Sequence, residues 1–127
     1  PPFFFFKHMP SYEILSGLVG SVMCIRDSYL SGQIPLIPST MELLSGSIKE
    51  EAQLVMEHLQ SILDAAGMTF KHVVKSTIYL DDMNNFGEVN QLYGTYFDND
   101  TAPARETVAV KTLPKSVRIE ISMIAVK

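Results

Sequence analysis

The apolar positions of this chain repeat with two different periods. Ile48, Ala52, Val55, Leu59, Ile62 and Ala66 recur at steps of three and four, the spacing that lines one face of an α-helix. Met56 and Leu63 widen that face, whereas Glu51, Glu57 and Gln60 are expected to point outward. Ser47-Ile-Lys-Glu forms a capping box, with Ser47 as N-cap and Glu50 three residues on. Gly67 supplies the stop. A second helical stripe, Phe86, Val89, Tyr93 and Phe97, follows Asp81-Asp82, which offers an N-cap. Aromatic residues at that spacing read as core rather than as a cofactor cage.

Elsewhere the period is two. Tyr29-Leu-Ser-Gly-Gln-Ile reads as a short strand stopped by Pro35 and Pro38. Val73 to Leu80 reads as a strand with Val74, Ile78 and Leu80 on one face and Val73, Lys75, Thr77 and Tyr79 on the other. Two further strands are expected at 105–111 and 117–126. In the last, Val117, Ile119, Ile121, Met123 and Ala125 form a continuous apolar face. The short Leu113-Pro-Lys-Ser linker suggests that these two strands pair as an antiparallel hairpin. Two helices over one face of a mostly antiparallel sheet is an α+β layer architecture. Thr107, Ala109, Lys111, Arg118, Glu120 and Ser122 are left for the open face, and the same alternation places Arg105 beside Glu120.

Composition narrows the function. The 127 residues suit one domain, and 46% apolar content with both charge signs suits a folded one. A net charge of −4 and the lack of a basic stripe argue against nucleic acid. The single Cys24 leaves no internal disulfide and fits a reducing, cytoplasmic setting. His8, His58 and His72 lack metal-ligand spacing, so no metal is expected; His58 reads as an exposed helix residue and His72 as a turn residue. No apolar run is long enough to span a bilayer.

The candidate chemistry lies in the last quarter. Arg105, at the mouth of a strand, offers a planar fork that can grip a carboxylate. Glu120, within the next strand, could handle a proton or a water. Each also has an ordinary reading: Arg105 as a strand-end salt bridge, and Glu120 paired with Arg118 or Lys111.

Further residues carry a resemblance. Ser31-Gly-Gln-Ile-Pro, Leu63-Asp-Ala-Ala-Gly, Val74-Lys-Ser-Thr-Ile-Tyr-Leu, Asp82-Met-Asn-Asn-Phe with Val89-Asn, Pro103-Ala-Arg, and Leu113-Pro through Ile119-Glu-Ile follow one another in order. Over residues 29–127 the chain resembles the RidA/YjgF/UK114 family. The resemblance implies a chorismate-mutase-like α+β domain, a homotrimer with ligand clefts between subunits, and hydrolysis of 2-aminoacrylate-type enamines and imines to 2-keto acids and ammonia. It implies no cofactor and no metal. Carried onto this chain, Arg105 binds the substrate carboxylate and Glu120 positions or activates water. Ser31, Gly32, Asn90 and Thr107 line the cleft. Because the superfamily includes members without deaminase activity, a non-catalytic carboxylate-binding or stress-response module is the alternative.

Residues 1–28 depart from the pattern. The family's Gly-Pro-Tyr-Ser-like segment is not found upstream of Ser31, and Tyr12 is too distant to stand in for its tyrosine. Met23-Cys-Ile-Arg-Asp-Ser matches one reading frame of a transposon end used in sequencing libraries. Two origins therefore stay open for this segment, a joined adapter or a divergent natural N-terminus, and no catalytic role is given to Cys24. Glu106 also departs, but alternation places it on the face opposite Arg105.

Overall fold

The structure is a computed structural model that describes residues 21–23 and 27–127. Tyr12, Cys24, His8 and the remaining expectations for residues 1–20 and 24–26 lie outside those residues. The elements in order are β1 (Ser21–Met23), β2 (Asp27–Gln33), α1 (Ile48–Ala65), β3 (Val73–Leu80), α2 (Phe86–Gly94), β4 (Ala104–Ala109) and β5 (Ile119–Val126). The five strands form one mixed sheet in the order β1-β2-β5-β3-β4. α1 packs over β5 and β2, and α2 packs against α1. This is the α+β arrangement expected.

The first helix forms as its sequence dictates. Ser47 Oγ accepts from the Glu50 N–H at 3.1 Å, and the Glu50 carboxylate accepts from the Ser47 N–H at 3.2 Å. Both links satisfy backbone groups that a helix start otherwise leaves unpaired. Val55, Met56, Leu59, Ile62 and Leu63 are buried against the sheet, each stabilising the fold by roughly 1.5–3 kcal/mol. At the other end Gly67 takes φ +69°, and the Met68 N–H closes the last turn on Leu63 O at 2.8 Å.

Four expectations are corrected. First, the β4–β5 hairpin does not form: β4 runs parallel to β3, and β5 lies between β2 and β3, antiparallel to both. A strand–helix–strand sequence favours parallel pairing, and here α2 is the crossover from β3 to β4. The apolar β5 takes the centre, leaving the polar β4 at the edge. Second, a bulge between Val73 and Lys75 shifts the phase of β3. Val73, Ser76, Ile78 and Leu80 face the helices, and Val74 is 48% exposed.

Third, His58 and Glu51 are buried rather than outward-facing. The loop after β2 folds over α1, and His58 Nε2 meets the Leu36 carbonyl at 2.7 Å. Arg118, entering β5, pairs with Glu51 and donates to Gly46 O at 2.6 Å. A buried charge needs such a partner. Fourth, Arg105 and Glu120 do not share a face. Arg105 is opposite Ser76 on the helix side, whereas Glu120 is opposite Tyr79 on the open side.

Candidate active site

The six expected residues gather into two groups. The first is built around β4 and α2. Arg105 Nη1–H donates to Asn90 Oδ1 at 2.5 Å. The guanidinium also lies 5.1 Å from the Tyr93 ring centre and 5.7 Å from that of Phe86. Phe86, Asn90 and Tyr93 are spaced four and three residues apart, so one face of α2 supplies all three contacts. Beside them opens a cleft of about 380 Å³, lined by Tyr93, Phe97, Pro103 and Arg105 among others. Thr107 belongs to the same side of the sheet by its register opposite Ile78. Its hydroxyl is buried without a hydrogen-bond partner among the described residues.

The second group sits on the open face. β2 breaks register between Leu30 and Gln33, and that irregularity carries Ser31 and Gly32. It brings Gly32 against the neighbouring strand: a Cβ there would lie 2.6 Å from Glu120 Cδ. Any residue but glycine would have to push the carboxyl aside. Burial raises the Glu120 pKa above its ordinary 4.5, since a carboxylate loses hydration there.

The ordinary pairings are not what these two side chains adopt. Among the described residues, the ion pairs are Lys75–Glu106 and Arg118–Glu51. Arg118 is therefore taken, Glu106 is held on the open side away from Arg105, and neither Arg105 nor Glu120 has an ion-pair partner among the described residues. Sequence reasoning missed the roles of Tyr93 and Phe86, which it assigned to the core. Their spacing from Asn90 was visible, but which helix face meets β4 was not. Among the described residues no three His, Cys, Asp or Glu side chains gather as a metal site, and no helix is long and apolar enough to cross a membrane.

A family model described as endoribonuclease L-PSP matches residues 19–127. The chain belongs to the RidA/YjgF/UK114 family. It is 46% identical over 107 residues to the mouse 2-iminobutanoate/2-iminopropanoate deaminase, covering 84% of this chain and 78% of that one. It is 48% identical over 99 residues to protein DfrA of Myxococcus xanthus, covering 78% and 75% of the two chains. A solved structure from Thermotoga maritima superposes with a TM-score of 0.81 at 46% identity, with 84% of each chain covered. The family match starts at residue 19, so it takes in β1 as well as β2.

Proposed function

We propose that this chain is an enamine/imine deaminase, converting 2-aminoacrylate- and 2-aminocrotonate-type intermediates to 2-keto acids and ammonia in the cytoplasm. The observation that carries the reading is Glu120, a half-buried carboxyl with a raised pKa and no ion-pair partner among the described residues. A carboxylate whose pKa is raised by burial is a stronger base than an exposed one, which suits it to take a proton from water.

Arg105 holds the substrate carboxylate through charge-assisted hydrogen bonds. The enamine first tautomerises to the imine. Water then adds at the imine carbon, forming the C–O bond as its proton passes to Glu120. Glu120 returns that proton to nitrogen to give a carbinolamine. The hydroxyl proton then passes to the amine nitrogen by way of the same carboxylate, C=O forms as the C–N bond breaks, and ammonia leaves behind a 2-keto acid. Ser31 and Gly32 bound the site near the base, while Asn90 and Thr107 bound it near the arginine. The chemistry draws on these side chains and water, with no cofactor or metal assigned.

One chain holds the two groups on opposite faces of its sheet. We therefore place the complete site between subunits of a homotrimer, with the open face of one copy meeting the β4 edge of the next. A symmetric assembly of this kind brings unlike surfaces of one chain together. The arginine cradle is complete within a single chain, so carboxylate binding without turnover is the second reading, and it would fit a chain that stays monomeric.

The purified full chain, added to a serine or threonine dehydratase, should accelerate keto-acid release. Arg105→Ala should reduce that acceleration at least 10²-fold, the scale expected when a positioned anchor is lost, while leaving the oligomer intact. Wild-type clearance by Arg105→Ala would overturn the assignment. Binding of 2-ketobutyrate by a wild type without turnover would favour the second reading.

A further inference from the structure

The proposed anchor does not hold its own shape. Arginine has four rotatable side-chain bonds, and Arg105 projects from an exposed edge strand. Left alone it would sample many rotamers. Three contacts restrain it: the Asn90 amide at 2.5 Å, the Tyr93 ring and the Phe86 ring. Tyr93 is itself fixed at its far end. Its O–H donates to Ser76 Oγ at 2.9 Å, and Ser76 is fully buried.

Ser76 is also the residue directly opposite Arg105 in the β3–β4 ladder. The arrangement is thus a closed triangle. Backbone pairing joins Arg105 to Ser76, a buried hydrogen bond joins Ser76 to Tyr93, and a cation–π contact joins Tyr93 back to Arg105. The Tyr93 ring lies 4.7 Å from Phe97, which in turn packs on Phe70 at 5.4 Å, so the ring is backed by further aromatic side chains.

From this geometry we infer that Tyr93 and Ser76 are positioning residues that aim the Arg105 guanidinium, rather than core residues alone. The inference rests on the reading of Arg105 as carboxylate anchor. Ser76 sets the tilt of the ring, the ring sets the plane of the guanidinium, and Asn90 sets its rotation. A pre-aimed fork loses less freedom on binding a planar carboxylate. The ligand class this favours is a small carboxylate held at fixed orientation, not any anion held by charge.

The test uses the full chain and reads the arginine directly. Heteronuclear ¹⁵N relaxation of the Arg105 Nε–H group is compared in wild type, in Tyr93→Leu, and in the double variant Ser76→Ala/Tyr93→Phe. The double variant removes both ends of the buried hydrogen bond together, so it should fold even if Tyr93→Leu does not. The expected result is an ordered Nε–H in the wild type and a mobile one in the variants. Affinity for 2-ketobutyrate should fall about tenfold in Tyr93→Leu and threefold in the double variant, with little change for inorganic sulfate. An Arg105 Nε–H as rigid in the folded variants as in the wild type would overturn the inference. So would equal losses of affinity for sulfate and ketobutyrate. The relaxation result does not depend on turnover, so it stands apart from whether the wild type deaminates.

Discussion

Gly32 sits where a side chain would occupy the space of the Glu120 carboxyl. The obstructing atoms belong to the far end of a flexible glutamate, so Gly32→Ala should fold with nearly unchanged stability and instead turn the carboxyl away. The expected outcome is a drop in kcat of roughly 10²-fold from a misplacement of about 1 Å, with 2-ketobutyrate affinity retained. Steady-state kinetics beside calorimetry would check it, and an unchanged kcat would remove Glu120 as the base. A second residue-scale feature is strain. Lys115 and Ser116 both adopt positive φ, 56° and 57°, which L residues disfavour. Relieving one of them with Ser116→Gly should stabilise the chain by roughly 0.5–1 kcal/mol after the added freedom of unfolded glycine is discounted. Urea unfolding would show it as a higher midpoint at constant slope.

At the scale of elements, the loop between β2 and α1 is tied to the helix through His58 and the Leu36 carbonyl. Burial holds the His58 pKa below its ordinary 6.5, so the folded state favours the neutral ring. The unfolded chain then binds more protons than the folded one between that lowered value and 6.5. This contribution to stability is fully present above pH 6.5 and is lost as the pH falls through the lower folded-state value. Glu120 works in the opposite sense: its raised pKa gives stability below pH 4.5 that is lost as pH rises through its folded value. Comparing wild type with His58→Gln separates the two. The slope of stability between pH 5 and 6.5, followed by urea unfolding, should flatten toward lower pH dependence in His58→Gln. An identical slope would mean that His58 does not titrate with folding. Element identity was largely legible beforehand: the capping box, the apolar stripes and the strand Val73–Leu80 are all local patterns. Pairing was not, because a four-residue linker permits a hairpin without requiring one. The bulge at Val73 was equally hidden, since it arises from fitting β3 to β5 rather than from β3 itself.

For the whole molecule, the decisive fact is that the sheet separates Arg105 from Glu120. If the site forms between copies, two inactive variants should rescue one another. Arg105→Ala and Glu120→Gln, co-expressed with different tags and purified through both, should regain about a third of wild-type activity, because each hybrid trimer then carries both native groups at one of its three interfaces. Native mass spectrometry would confirm the hybrid trimers. Hybrid trimers without recovered activity would sink the intersubunit site. The open face also carries Tyr29, Tyr79, Val108 and Ile124 among its polar groups, a mixed surface suited to contact with another copy of the chain.

The features legible in the amino-acid order are local ones. That order held the periods that make α1, α2 and the strands, the caps that bound α1, and the residue types able to grip a carboxylate and move a proton. It also held the ordered motifs by which the family is known. Tertiary structure alone decided which strands are neighbours, and hence on which face each side chain emerges. Side-chain direction alternates with every residue, so one bulge or one wrong pairing reverses a face. That is why Arg105 moved to the helix side, where α2 aims it, and Glu120 stayed on the open side above Gly32. The same dependence on packing turned Tyr93 from an anonymous core aromatic into the support of the arginine, and left His58 and Glu51 buried where local pattern placed them in solvent.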